Sequence, residues 1–136
     1  GFLPVILFML AGVMAFATGT SWGTFGIMLP IAAAMAVKVE PSLIIPCMSA
    51  VMAGAVFGDH CSPISDTTIL SSTGAHCNHI DHVTSQFPYA LTVAASAASG
   101  YLALGMTGSA PLGFVVTGIV MVILIFILKD KKKATA

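Results

Sequence analysis

The stretch FGDHCSPISDTTILSS, residues Phe57–Ser72, places two carboxylates, Asp59 and Asp66, among hydroxyl side chains. The chain around this stretch is strongly apolar, because 57% of its 136 residues are hydrophobic and only 7% are charged. Soluble domains carry about 25% charged residues, so the composition predicts an all-α integral membrane protein. The formal net charge of zero gives no indication of nucleic-acid binding.

Five apolar segments surround the polar stretch. A membrane-spanning helix needs about 20 apolar residues, a length that only the last two segments approach. The segments are Phe2–Ala17, Phe25–Val37, Leu43–Phe57, Tyr89–Met106 and Leu112–Leu128.

Two polar interruptions account for the short segments. The first is TGTSWGT, Thr18–Thr24, whose glycines and hydroxyls favour a turn. The second follows the third segment, where Pro63 lacks an amide hydrogen and disfavours helix at Ser62. We expect the helix to break at Asp59 and to resume around Thr67. Paired interruptions of this kind indicate a transporter site built from broken helices.

A consistent topology follows from the tail KDKKK, Lys129–Lys133, which predicts a cytoplasmic C-terminus by the positive-inside rule. The loop 107–111 then lies outside and the loop 76–86 inside. We expect a re-entrant hairpin, a discontinuous transmembrane helix, two spanning helices and a cytoplasmic tail, with the two polar tips meeting near the midplane. Their predicted bounds are 2–37, 43–76, 87–107, 112–128 and 129–136.

Asp59 and Asp66 carry the functional hypothesis. A charged aspartate at bilayer depth costs about 2.5 to 3.5 kcal/mol unless it is compensated, and the apolar segments contain no Lys or Arg. A bound cation or a proton can supply the compensation. The hydroxyls of Ser62, Ser65, Thr67 and Thr68 and the freed backbone carbonyls offer oxygen ligands. Because burial favours the protonated form of a carboxyl group, a proton is the natural competitor of the cation. We favour Asp66 as the ion-binding carboxylate, with Asp59 assisting.

The hairpin tip is the second candidate, because Thr18, Thr20 and Ser21 present hydroxyls beside two glycines. Its alternative interpretation is an interfacial turn anchored by Trp22. For the aspartates the alternative is helix capping, with Ser65 or Asp66 capping the helix that begins at Thr67. His60, next to Asp59, is a candidate for orienting that carboxylate or relaying protons.

The polar segment HCNHIDH, His76–His82, resembles a metal site in composition only. Its spacing matches no familiar zinc pattern. A partly helical interfacial loop is the favoured interpretation, and pH sensing is a further alternative.

Two long motifs, FATGTSWGTFGIMLPIA and GDHCSPISDTTILSSTGAHCNHIDHVTSQFPYAL, resemble the NhaC-type sodium/proton antiporter family. The resemblance implies one half of an inverted-repeat transporter in the cytoplasmic membrane, completed by an N-terminal repeat of the same polypeptide. It implies Na⁺ and H⁺ as transported ions, the lipid bilayer as surroundings and no cofactor; a homodimer is compatible with it. It also implies an elevator-like or rocking movement of the site against a scaffold.

Several functions remain open from the sequence. The leading one is exchange of Na⁺ for H⁺. The second is Na⁺-coupled transport of a small organic acid or amino acid, since the family is mixed in substrate. A membrane metalloenzyme using the His/Cys/Asp cluster and a purely structural subunit are the remaining alternatives.

Overall fold

The computed structural model describes the backbone of residues 1–134 and the side chains of residues 1–129. The predicted tail 129–136 therefore lies largely outside the described side chains. Within residues 1–134 the secondary structure is entirely helical, which confirms the predicted all-α class. The elements are α1 (Leu3–Thr18), α2 (Ser21–Val39), a 3₁₀ turn (Pro41–Leu43), α3 (Ile44–Cys61), α4 (Asp66–Gly74), α5 (His79–Thr107) and α6 (Ala110–Ala134).

Four stretches in the described part of the chain are long and apolar enough to cross a membrane. Helix α1, with 16 residues, is shorter than these. Many large apolar side chains on the outer helix faces are exposed, Phe114 by 84% for example. Such faces suit contact with lipid or further protein. The four stretches are Ser21–Val39, Pro41–Cys61, His79–Thr107 and Ala110–Lys129.

Helices α1 and α3 are parallel and in close contact. A Cβ atom at Gly54 would overlap the carbonyl oxygen of Phe8, and one at Gly58 would overlap that of Gly12. Because both members of the second pair lie four residues further along, the two helices run in the same direction. Helix α2 connects α1 to α3 in the chain, packs on both and runs in the opposite direction, so the break after α1 and the break after α3 lie at the same end of this three-helix unit.

Helix α5 runs antiparallel to α1 and α3. Near its C-terminus Gly105 contacts Gly1, and the ring of Tyr101 lies 5.5 Å from that of Phe8. Helix α6 returns along α5, where Gly100 contacts Gly113 and Thr117. The starting end of α5 is thereby brought to the break that follows α3.

Three predicted boundaries differ from the structure. The turn TGTSWGT is tighter than predicted, because the Thr20 side chain accepts a hydrogen bond from Gly23 N and starts α2 at Ser21. Helix α3 continues through Asp59 to Cys61, so that carboxylate lies in the last helical turn and not in the break. Most of the predicted loop 76–86 is helical, because the Asn78 side chain caps α5 by accepting from Ile80 N and Asp81 N.

Candidate functional site

Asp59 is the buried carboxylate of the site. It lies in the last turn of α3 and is only 8% exposed. Its Oδ1 accepts a hydrogen bond from Ser65 Oγ at 2.6 Å, across the four-residue break. This distance is typical of a hydroxyl that donates to a carboxylate. The break therefore folds back on the helix that precedes it.

Ser65 connects Asp59 to the start of α4. Its side chain is fully buried and caps that helix by accepting from Thr67 N at 3.2 Å. Its Oγ also lies 2.7 Å from Thr67 Oγ1. The predicted capping role of Ser65 is thus confirmed, and it coexists with the contact to the carboxylate.

The three side chains are satisfied whether Asp59 is ionised or protonated. A serine hydroxyl carries one hydrogen and two acceptor lone pairs. With Asp59 ionised, Thr67 donates to Ser65 and Ser65 donates to Asp59. With Asp59 protonated, Asp59 donates to Ser65 and Ser65 donates to Thr67, while Thr67 N remains bonded to Ser65 in both cases. The arrangement can therefore take up or release a proton without leaving a buried group unpaired.

The two polar breaks are in contact, as the sequence predicts. Ser62, fully buried at the end of α3, donates its hydroxyl to the carbonyl of Phe16 at 2.8 Å. Gly19 has a φ of +67°, and a Cβ atom there would lie 2.8 Å from the carbonyl oxygen of Ile64. Glycine is thus required both by the left-handed backbone and by the close approach.

Two of the hairpin hydroxyls predicted for the site, those of Thr18 and Thr20, make hydrogen bonds within the hairpin. Thr18 donates to the carbonyl of Met14 at 2.9 Å, and Thr20 caps α2. Ser21 is half-buried in the first turn of α2. The hairpin reaches the α3–α4 break through its backbone, at Phe16 and Gly19, rather than through these hydroxyls.

Asp66 and His60 lie outside the buried network. Asp66 is the first residue of α4 and is exposed. The His60 side chain is exposed and lines a groove between α3 and α5 with Tyr89 and Tyr101. In the described part of the chain the hydrogen-bonded network of Asp59 includes neither residue. Burial therefore ranks Asp59 ahead of Asp66, the reverse of the order that the sequence favours.

Four polar residues complete the surroundings of the break, and of these the sequence offered only Thr68 as an oxygen ligand. Thr68 Oγ1 and Gln86 Nε2 both donate to the carbonyl of His60, at 3.2 and 2.5 Å. His79 Nε2 lies 2.7 Å from the carbonyl of Pro63, and its Nδ1 lies 3.0 Å from Ser72 Oγ. Two of the carbonyls expected to serve an ion are thus already occupied. Proximity in sequence indicates Thr68, whereas only the packing of α5 reveals Gln86 and His79.

The His/Cys/Asp cluster does not assemble into a metal site. Across residues 1–129, no group of three or more His, Cys, Asp and Glu side chains is placed to hold a metal ion. His79 is directed at Ser72 and Pro63, and Cys77 is exposed, with its thiol donating to the carbonyl of Ser72.

Comparison with known proteins places the sequence in a family. Residues 1–106 match the Na⁺/H⁺ antiporter family. The chain is 65% identical, over 96% of its length, to an uncharacterized protein of Haemophilus influenzae, of which it covers 25%.

Two further relatives carry functional names. Over 60% of the chain, identity is 35% to a protein of Haemophilus influenzae named an uncharacterized Na⁺/H⁺ antiporter, 17% of which is covered. Over 60% of the chain, identity is 37% to the malate-2H⁺/Na⁺-lactate antiporter of Bacillus subtilis, 18% of which is covered. The chain thus spans a quarter or less of the length of these relatives. No solved structure matches it.

Proposed function

This chain belongs to the Na⁺/H⁺ antiporter family, and we propose that the protein carrying it exchanges Na⁺ for H⁺ across the cytoplasmic membrane. Family membership and the four apolar spans make it a multi-pass membrane transporter and not an enzyme. The observation that supports the exchange itself is the buried carboxyl group of Asp59, whose hydrogen-bond partners suit both its ionised and its protonated form.

In the proposed mechanism Asp59 binds Na⁺ and H⁺ alternately. The ionised carboxylate and the Thr67 hydroxyl oxygen are hard ligands of the kind that Na⁺ prefers. In this form both lone pairs of Ser65 Oγ accept hydrogen bonds from Thr67, so Ser65 contributes to ion binding by orienting the carboxylate. Protonation removes the negative charge and turns the hydroxyl hydrogens around, so that Na⁺ leaves. Ser62 holds the break against the hairpin through the carbonyl of Phe16. Asp66, exposed at the start of α4, is the alternative carboxylate for the same role.

The remaining features of the proposal follow the family resemblance. We propose that an N-terminal repeat of inverted topology completes the site and that the C-terminus is cytoplasmic. Contributions of Thr18, Thr20 and Ser21 to ion binding, proton relay by His60 and assembly as a homodimer belong to the same proposal.

The test uses the whole protein that carries this chain, reconstituted in proteoliposomes. Na⁺ is added outside with no organic solute, the membrane potential is clamped with K⁺ and valinomycin, and lumenal pH is followed. We expect the lumen to become alkaline only when Na⁺ enters, and Asp59→Asn to abolish the change. Asp81→Asn is the matched control, because Asp81 is exposed in the first turn of α5.

The Asp66→Asn variant separates the two carboxylates. Exchange that survives Asp66→Asn and is lost in Asp59→Asn assigns the ion to Asp59. The converse pattern assigns it to Asp66. Exchange that survives both single substitutions contradicts the proposed site.

A second candidate function is Na⁺-coupled transport or exchange of a small organic acid or amino acid. The relative named a malate-2H⁺/Na⁺-lactate antiporter favours it. In this case Asp59 holds only the coupling ion. Labelled Na⁺ that enters only together with an added carboxylate or amino acid, while lumenal pH stays constant in its absence, would establish this function in place of the first.

A further inference from the structure

His79 lies between two polar groups of the α3–α4 region. Its Nε2 is 2.7 Å from the carbonyl oxygen of Pro63, inside the break. Its Nδ1 is 3.0 Å from Ser72 Oγ, in the last turns of α4. The same Ser72 hydroxyl lies 2.9 Å from the carbonyl oxygen of Ile69. One imidazole therefore ties the start of α5 both to the break and to the helix that follows it.

Counting hydrogens distinguishes the protonation forms of this imidazole. A carbonyl oxygen only accepts, so Nε2 must carry a hydrogen. In the neutral form with hydrogen on Nε2, Nδ1 needs the single hydrogen of Ser72, which then leaves the carbonyl of Ile69. In the imidazolium form Nδ1 donates to Ser72, Ser72 donates to Ile69 and Nε2 donates to Pro63. Only the charged form keeps all three hydrogen bonds.

Gln86 strengthens the same attachment two turns further along α5. Its amide donates to the carbonyl of His60 at 2.5 Å. The carbonyls held by α5 thus belong to His60 and Pro63, one directly after Asp59 and the other two residues before Ser65. The backbone that sets the distance between the carboxylate and its hydroxyl partner is fixed from α5 at both points.

We infer that His79 is a positioning residue for the Asp59 site, and that protonation of its imidazole strengthens the attachment of α5 to the break. Histidine is the side chain that changes charge between about pH 5 and pH 8. In the neutral form, the hydrogen bond of Ser72 to Ile69 or that of Ser72 to His79 is lost. The attachment is therefore strongest when the imidazole is charged. Its effect on transport rests on the proposed function, whereas the attachment itself can be tested without it.

The other titratable groups near the break are carried by α5, by the turn before it and by the helices that pack against it. Helix α3 contributes Asp59 and His60, and α4 contributes Asp66. The turn contributes His76 and Cys77, and α5 itself contributes Asp81 and His82. Of these, within the described side chains, Cys77 shares a partner residue with His79, because its thiol contacts the carbonyl of Ser72.

Hydrogen–deuterium exchange on the whole protein in detergent tests the attachment. Exchange rates of the backbone amides in residues 62–65 and 72–78 are measured between pH 5.5 and pH 8.5 and corrected for the chemical rate. We expect about tenfold more opening at the high end, the loss that corresponds to one hydrogen bond to a charged group. His79→Gln, which keeps a donor for Pro63 but cannot change charge, should remove this pH dependence. Ser72→Ala should reduce it.

His82→Gln is the matched control, three residues further along the same helix, and should keep the wild-type profile. Unchanged protection of α1 and α3 shows that each variant is folded. The inference is overturned if His79→Gln retains the wild-type pH dependence or if His82→Gln removes it.

The transport readout is separate. If Na⁺-dependent proton exchange is present, its pH profile should lose one transition in His79→Gln and keep it in His82→Gln. An unchanged profile in His79→Gln overturns the role for the Asp59 site. If exchange is absent from the wild type, the proposed function fails, and the pH-dependent protection alone decides the attachment.

Discussion

Ser65 gives one hydroxyl three neighbours, namely Asp59 Oδ1, Thr67 N and Thr67 Oγ1. Removing this hydroxyl leaves the buried carboxylate of Asp59 without its hydrogen-bond donor and leaves α4 without its N-cap. Breaking a hydrogen bond to a charged group costs about 1.5 to 3 kcal/mol, and loss of a serine cap costs about 1 kcal/mol. The site and the local fold are thus sensitive to the same atom.

We therefore predict that Ser65→Ala raises the Na⁺ concentration needed for half-maximal exchange by at least about tenfold. The measurement is initial exchange rate against Na⁺ in proteoliposomes. Ser71→Ala is the control, because among the described side chains and backbone groups the exposed Ser71 hydroxyl bonds only to the carbonyl of Thr67, within its own helix. Equal half-saturating concentrations in Ser65→Ala and in the wild type would contradict the role of Ser65.

The pH dependence of Na⁺ binding is a second prediction at this scale. Because the ionised carboxyl group binds Na⁺ and the protonated group does not, lowering the pH must raise the half-saturating Na⁺ concentration. Competition by one proton limits the increase to about tenfold per pH unit. A half-saturating concentration that stays constant from pH 6 to pH 8.5 would exclude a shared Na⁺/H⁺ site.

The sequence identifies the hydroxyl and carboxylate types but not their burial. In the sequence, Asp59 and Asp66 lie in the same polar stretch and have similar neighbours. Because Pro63 disfavours helix, the sequence suggests that α3 ends at Asp59. In the structure α3 extends to Cys61 because its small-residue face packs against α1. The spacing of Gly54 and Gly58 is a sequence signal for close helix packing, but the sequence does not specify α1 as the partner helix or show that Asp59 is buried.

The parallel pair of α1 and α3 determines the geometry of the site at the scale of the helices. Gly54 and Gly58 allow the backbones to touch at Phe8 and Gly12. Any side chain at these positions must push the helices apart. Because Asp59 directly follows Gly58, such a displacement reaches the carboxylate immediately.

We predict that Gly58→Ala destabilises the protein by about 1 to 3 kcal/mol, the usual cost of overpacking. Thermal unfolding in detergent, followed by helical circular dichroism, measures the effect as a lower Tm. Gly26→Ala is the control, since a Cβ atom at that helical position meets no atom within 4 Å. Equal Tm values for the two variants would contradict the close packing of α1 on α3.

Helix existence was predictable from apolar runs, whereas helix starts were not. The capping side chains of Thr20 and Asn78 shift α2 and α5 towards the N-terminus by satisfying the first free amides. The polar residues between Asn78 and Gln86 obscured the start of α5. Two of these polar residues, Gln86 and His79, contact backbone carbonyls at the break.

At the scale of the whole molecule, the length of α5 determines how far apart the turns at its two ends lie. Its 29 residues correspond to about 43 Å of helix, which is more than the hydrocarbon thickness of a bilayer of about 30 Å. We therefore expect the turn that contains Cys77 and the turn at Gly108–Ser109 to lie on opposite sides of the membrane.

We predict that a membrane-impermeant maleimide labels the exposed Cys77 from the cytoplasmic side only. In a Cys77→Ser background, Ser109→Cys should be labelled from the outside only. Right-side-out and inverted vesicles provide the two exposures. Labelling of both positions from one side would contradict a membrane-crossing α5, and labelling of both with the sides exchanged would contradict the cytoplasmic C-terminus.

The contact between the hairpin and the break was predictable, because two polar interruptions in an apolar chain have few other partners. The attachment of α5 to that break was not, because Gln86 and His60 are 26 residues apart and nothing in either motif specifies the pairing. The family could be recognised from two motifs, although the transported solute could not.

The glycine contacts between α1 and α3 also fix their register. Shifting α3 by one turn in one direction would bring Ala50, with its methyl group, against the Phe8 carbonyl in place of Gly54. Shifting it the other way would bring Ser62 against the Gly12 carbonyl in place of Gly58, and either shift would take the Ser62 hydroxyl away from Phe16. The two helices consequently have one commensurate alignment and cannot slide past each other in small steps. Whatever displacement transport requires, we expect it to carry the pair as a single translating body, with slippage confined to its boundary with α5.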